Sequence, residues 1–291
     1  MRTIFALLAF AIFGPAELSA DGFPIKPLSC YEVSFRARVK KGNCIELSPQ
    51  LAEVVPWCVS RNNILGVKFC GVQWKFTDAF GQTIRRPELG SSAQTLFSRE
   101  WKTYRYRFWT PEKAARFDIW TVEGAKGNKG ELADIKIREI HNPATLNFNG
   151  DFSESDDAAY GWQLVGTSRF DNIAPGVSEV NTLDSSVNSD LFLVEPGTSI
   201  KVEAVCSSHV LYGSRYKNIN VRLEFYSTYE DASKGNRKNA YSPVKISPEG
   251  NRATATHTYK VPEDKKWARI SLWHGIAHKI SVTKAVHGEN K

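Results

Sequence analysis

At 291 residues, less a short leader, the chain exceeds what one small β-sandwich needs and suits two domains of ordinary size. Its formal charge of +7 is unevenly placed: residues 21–141 hold 20 Lys and Arg against 13 Asp and Glu, whereas residues 142–291 hold 17 of each class. Beyond the leader no segment is apolar enough to cross a membrane, and the basic first part favours an acidic partner: a sulfated or uronic polysaccharide, an anionic surface or nucleic acid.

Residues 1–20 read as an export signal, with Arg2, an apolar run from Ile4 to Phe13, then Gly14-Pro15 and small residues up to Ala20. The run is too short to span a bilayer, so the mature chain is expected to start near Asp21 and to be secreted or periplasmic. In the unit 21–141, Tyr31, Val33, Phe35, Ala37 and Val39 alternate with Glu32, Ser34, Arg36, Arg38 and Lys40, the period of a half-buried strand. Further strands are expected at 67–69, 102–108, 117–120 and 135–137. Residues 43–63 form an extra segment in which 49–58 allows one short helical turn, limited by Pro56.

Four of the five cysteines, Cys30, Cys44, Cys58 and Cys70, lie in this unit. In an exported chain they suggest two disulfides, and their spacing fits no zinc finger. Cys70 has opposite parity to Val67 and Phe69, which sets it on the outer side of its strand under the extra segment. There it is expected to pair with Cys44 or Cys58, leaving Cys30 for the other. The unit 142–291 follows a short link at 141–144, so the two units are expected to pack closely. After about fifty residues it repeats the earlier order of strands at 200–205, 221–223, 259–262, 270–273 and 280–282. Cys206 shares parity with Ile200, Val202 and Ala204 and reads as a buried, inert thiol. Many short strands between Gly, Pro and Asn turns imply an all-β chain of two tandem antiparallel β-sandwiches, the first incomplete or modified.

The run Asn147-Phe148-Asn149-Gly150-Asp151-Phe152, followed by Glu154 and by Gly161-Trp162, resembles the opening of carbohydrate-binding modules of the family-four, nine and twenty-two kind. Trp101, Tyr104, Phe108, Pro111 and Ala133-Asp134-Ile135 match the family's later pattern in the first unit; Tyr259 and Pro262 match it in the second. Ser153 intrudes before the glutamate, Arg252 stands where the second unit's tryptophan belongs, and Lys279-Ile280 replaces its acidic pair. The resemblance implies galactose-binding-like jelly rolls, structural roles for Trp101 and Trp162, and a structural calcium held from Asp151 and Glu154.

A sugar offers apolar ring faces and many hydroxyls, so its site calls for a flat aromatic beside polar groups. If Phe117 and Ile119 face the core, Trp120 faces out, and Ile270 with Leu272 does the same for Trp273. Trp109, next to the core-facing Phe108, joins them as a candidate platform. Arg36, Arg38, Arg105 and Arg107 share outward parity, and guanidinium forks suit carboxylate or sulfate groups. Export argues against nucleic acid. His274 and His278 have metal-like spacing on a strand and turn rather than a helix, and no nucleophile elbow, phosphate loop or opposed carboxylate pair occurs, so no catalytic residue is assigned. The expectation is a non-catalytic protein for a polysaccharide, preferably acidic; the alternative is a structural or adhesion protein that contacts a protein partner at the cell surface.

Overall fold

The computed structural model describes residues 22–42, 63–64, 67–68, 70–84, 94–96, 98–124, 127–154, 161–165, 168–174, 177–182, 185–208, 219–234, 239–240, 244–246 and 252–285. The expected export signal, Cys44, Cys58 and the turn at 49–58 lie outside them.

Period-two alternation builds the N-terminal half. Along Cys30–Lys41 the side chains of Val33, Phe35, Ala37 and Val39 are all buried. This strand is the centre of a three-stranded antiparallel sheet, between Lys129–Ile140 and Lys102–Trp109. The opposing sheet runs Phe23–Pro24, Arg116–Val122, Gly71–Thr77, Thr83–Ile84, with Gln94–Thr95 also on Gly71–Thr77. Aromatic rings from the two sheets interlock: Phe108 meets Phe117 at 4.7 Å and Phe76 at 5.2 Å, and Trp74 meets Tyr106 at 4.7 Å. Each buried Phe of this kind stabilises the sandwich by about 1.5–3 kcal/mol.

The C-terminal half repeats the architecture. A five-stranded sheet orders Arg169–Ala174, Val177–Asn181, Ile276–Lys284, Ser199–Ser207 and Ala253–Lys260. It faces a seven-stranded sheet led by Trp162–Leu164, Ser186–Ser189, Trp267–Trp273, Ile219–Tyr226 and Asn239–Ala240; Phe192–Leu193 and Val244–Ile246 attach to it as side branches. Ile200, Val202, Ala204, Ile280 and Val282 from the first sheet pack on Val221, Leu223, Phe225, Ile270 and Leu272 from the second. The core strands of the two halves follow one order: Cys30–Lys41 lies between its neighbours as Ser199–Ser207 lies between Ile276–Lys284 and Ala253–Lys260.

Three sequence expectations are corrected. Among the described residues Val67–Lys68 pairs only with Asn63–Ile64, in a separate ladder, and Gly71–Thr77 occupies the place held by Ile219–Tyr226 in the other half. Parity therefore does not carry from Val67 to Cys70. Cys70 is in register with Val72, Trp74 and Phe76 and is 1% exposed in the core, not on the outer side of its strand. Cys30 is a buried thiol at the head of its strand, opposite Trp109 and Ile140, so its expected bridge is not made, and no disulfide joins the described cysteines to one another. Apart from these, a short helix forms at Tyr229–Ser233, where Thr228 and Asp231 make a capping box.

The link between the halves is a packed segment. Leu146 enters the C-terminal core, whereas Phe148 enters the N-terminal one and meets Tyr106 edge-on at 5.5 Å. The Asn147 amide donates to the carbonyl of Ile280 at 2.8 Å, and its oxygen accepts from the amide of Val282 at 2.8 Å. The amide of Ile280 donates to the carbonyl of Gly150, and a Cβ on Gly150 would lie 2.1 Å from the Ile280 carbonyl oxygen, so only glycine permits this approach. Phe152 is fully buried edge-on to Trp162, whose indole N–H donates to the carbonyl of Asn149 at 2.9 Å. The run 147–152 is thus a lock on the C-terminal sandwich.

Candidate functional site

The most exposed of the expected aromatic platforms is Trp120. It lies on Arg116–Val122 with 37% of its surface open, while Phe117 and Ile119 on the same strand face the core. Antiparallel pairing with Gly71–Thr77 sets Gln73 opposite Trp120 and Lys75 opposite Asp118. The Lys75 amine sits 5.9 Å from the centre of the indole and 3.7 Å from Asp118. One outer sheet face therefore presents a flat ring, an ammonium, a carboxylate and an amide, and a cation over an exposed ring adds about 0.5–1 kcal/mol to its placement.

The other platforms behave differently. Trp273 is half-buried, between strands that place Ser186 and Asn220 opposite it, and its indole N–H is taken by the Ser271 hydroxyl at 2.8 Å. Trp109 is corrected from platform to interface: its N–H donates to the carbonyl of Leu146 at 2.9 Å, and its ring packs on the C-terminal core and on a cluster of Leu191, Tyr226, Tyr229, Ala232 and Trp267. The outward parity read from the sequence is right, but the other half covers that face.

The four arginines also divide. Arg36 and Arg38 flank the Trp101 ring at 5.2 and 4.5 Å, so Trp101 stands among cations rather than in the core. Their charges are met by neighbouring carboxylates: Arg36 pairs with Asp134 at 3.1 Å, and Arg38 donates twice to Glu131, which also meets Lys40. These hydrogen bonds, that from Arg38 foremost, hold the Glu131 carboxyl below its ordinary range. Arg105 pairs with Glu154 at 3.2 Å. Arg107 is corrected as a ligand group: it is drawn into the interface, where it donates to the carbonyl and hydroxyl of Thr145 and to the carbonyl of Asn147, and burial pulls its affinity for protons down.

Asp151 accepts from the hydroxyl of Ser153 at 2.9 Å, and Glu154 is engaged by Arg105. No group of three His, Cys, Asp or Glu side chains suited to a metal occurs among the described residues. Burial pushes the Cys30 and Cys206 thiols up to about 12, so both are inert as nucleophiles.

Two arrangements escaped the sequence reading. Glu224 and Arg269 form a buried ion pair at 2.7 Å beneath the outer face of the seven-stranded sheet. Ser207, His278 and Glu179 converge on the five-stranded sheet. The first could have been suspected from charged residues of core-strand composition; the second joins residues far apart in the chain.

No family model and no curated protein matches the chain. Among solved structures it is similar to the tandem CBM22-1-CBM22-2 domain of Paenibacillus barcinonensis Xyn10C, at 12% identity over 90% of this chain and 80% of that one, with a TM-score of 0.33. It is also similar to the ANXUR2 extracellular domain of Arabidopsis thaliana, at 9% identity over 91% and 81% with a TM-score of 0.26. A further likeness is to the carbohydrate-binding module CBM6cm-2 of Cellvibrio mixtus lichenase 5A, at 13% identity over 43% and 88% with a TM-score of 0.29. These likenesses are too distant to carry an inference about ligands.

Proposed function

We propose that the protein is an exported carbohydrate-binding protein of two units, 21–141 and 142–291, whose first unit holds a polysaccharide, preferably an acidic one, without catalysis against the Trp120 face. The observation that supports this reading is an indole 37% exposed on a regular strand, with Gln73, Lys75 and Asp118 around it. The ring offers an apolar surface to a sugar, and the polar neighbours offer donors and acceptors to its hydroxyls. The excess of Lys and Arg in residues 21–141 supports the acidic preference, in an extended field rather than a single contact. Affinity electrophoresis through gels containing neutral or sulfated polysaccharides tests it, with the native chain and Trp120→Ala side by side. The native protein should be retarded by at least one polymer, most by a sulfated one at low salt, and the variant should run free. Absence of retardation by every polymer would refute the reading and favour a structural or adhesion protein at the cell surface.

A further inference from the structure

The outer face of the five-stranded sheet in the C-terminal half carries three polar side chains on three adjacent strands. Ser207 ends Ser199–Ser207, His278 lies on Ile276–Lys284, and Glu179 lies on Val177–Asn181. A register shift between Val205 and Cys206 sets Cys206 opposite Ala277 and Ser207 opposite Ile276. Because Cys206 and Ala277 point into the core, Ser207 and His278 share the opposite face. The Ser207 hydroxyl lies 2.9 Å from His278 Nε2, and His278 Nδ1 lies 3.1 Å from Glu179 Oε2. The second contact lacks the direction of a hydrogen bond, so Glu179 acts on the ring chiefly as a charge.

The side chains of His278 and Glu179 are only 10% and 14% exposed, which fixes both, while Ser207 is half-buried at the end of its strand. Asp171 stands directly across from Glu179 and adds a second carboxylate to the region. An imidazole nitrogen within hydrogen-bond distance of a hydroxyl is placed to take its proton, and a carboxylate charge beside the ring favours the imidazolium that results. Neither the Trp120 face nor the contact between the halves uses these groups.

We infer that Ser207 is an activated hydroxyl that accepts acyl groups from small carboxylic esters. Ser207 Oγ bonds to the acyl carbon while its proton passes to His278 Nε2; the ester C–O bond breaks and the departing alkoxide takes that proton. Water then splits the acyl-serine, releasing the carboxylic acid and restoring the hydroxyl. Glu179 stabilises the imidazolium formed between these steps. A fluorophosphonate reports the first half of the chemistry: the Oγ–P bond forms, the P–F bond breaks, fluoride leaves and the proton stays on His278.

The test is labelling of the full chain with a fluorophosphonate probe, followed by peptide mapping. Ser207 should be the modified serine, and Ser207→Ala should remove the label. His278→Gln should slow labelling by about 100-fold or more, the range expected for loss of a general base, and Glu179→Gln should slow it by a smaller factor. Thermal midpoints of the variants, taken alongside, separate lost chemistry from lost fold. An unlabelled Ser207 in the native protein, or equal rates in native protein and a folded His278→Gln, overturns the inference. Polysaccharide retardation in the same samples reads the Trp120 face separately.

Discussion

Replacing Arg269 by Met should destabilise the C-terminal half far more than an ordinary surface change. Arg269 and Glu224 stand opposite each other on Trp267–Trp273 and Ile219–Tyr226, with side chains 7% and 2% exposed. The guanidinium donates to Glu224 Oε2 at 2.7 Å, the Tyr226 hydroxyl donates to the same oxygen at 2.6 Å, and the Arg269 charge lies 5.6 Å from the Tyr226 ring centre. Methionine keeps most of the stem but removes the counter-charge, stranding a carboxylate away from water. Breaking such a pair costs about 3–5 kcal/mol. In a cooperative unit of 150–250 residues each kcal/mol moves the midpoint by about 2–4 °C, so a fall of about 6–20 °C is expected. Glu224→Leu combined with Arg269→Met should recover most of it, because a buried pair replaced whole by apolar groups is often neutral or better. Differential scanning calorimetry on both single variants and the double variant completes the cycle. A single variant within 2 °C of the native midpoint, or a double variant no better than the worse single one, would refute the reasoning about this pair.

Glu112→Leu should loosen the contact between the halves, since its carboxylate accepts from the indole of Trp267 at 2.6 Å and the amide of Tyr229 at 3.2 Å. Each buried donor left alone costs about 1–3 kcal/mol, and faster hydrogen exchange at residues 228–232 is the readout; unchanged exchange would dismiss the latch. Arg107→Ala should lower the midpoint yet leave polysaccharide retardation unchanged, because its acceptors are Thr145 and Asn147; loss of retardation would return Arg107 to the ligand site. Cys30 and Cys206 should resist iodoacetamide at pH 8 until guanidinium unfolds the chain, given thiols pushed up to about 12, as is the Tyr259 hydroxyl. Folded-state values raised in this way give stability that is complete below the unfolded values of 9.0 for the thiols and 10.0 for the tyrosine, and lost as pH rises toward 12; a urea midpoint that stays flat across that window would contradict the burial.

Local alternation made most of the sandwich legible: Val33 to Val39, Tyr104 to Phe108 and Ile200 to Ala204 point as their parity requires. The error at Val67 arose because a short apolar run outweighed the better alternation of Val72, Trp74 and Phe76 just after it. The helix at Tyr229 was also written in the chain, in the spacing of Thr228 and Asp231, but five residues give no periodicity to notice. Parity could set Trp109 and Arg107 on an outer face; it could not tell that Thr145 to Asn147 folds back across them. Trp120 stayed open because no such segment crosses it among the described residues. The meeting of Ser207, His278 and Glu179 depends on strand order and on one register shift, neither of which leaves a local mark.

The segment after His141 belongs to both sandwiches at once, through Phe148 on one side and Leu146 and Phe152 on the other. A long polymer that touched both outer surfaces would therefore meet two contacts at a set span and angle, with no tether to adapt. Avidity then depends on the ligand's own stiffness and repeat: a rod whose pitch matches the span gains the full local-concentration advantage of the second contact, and a chain out of step gains none.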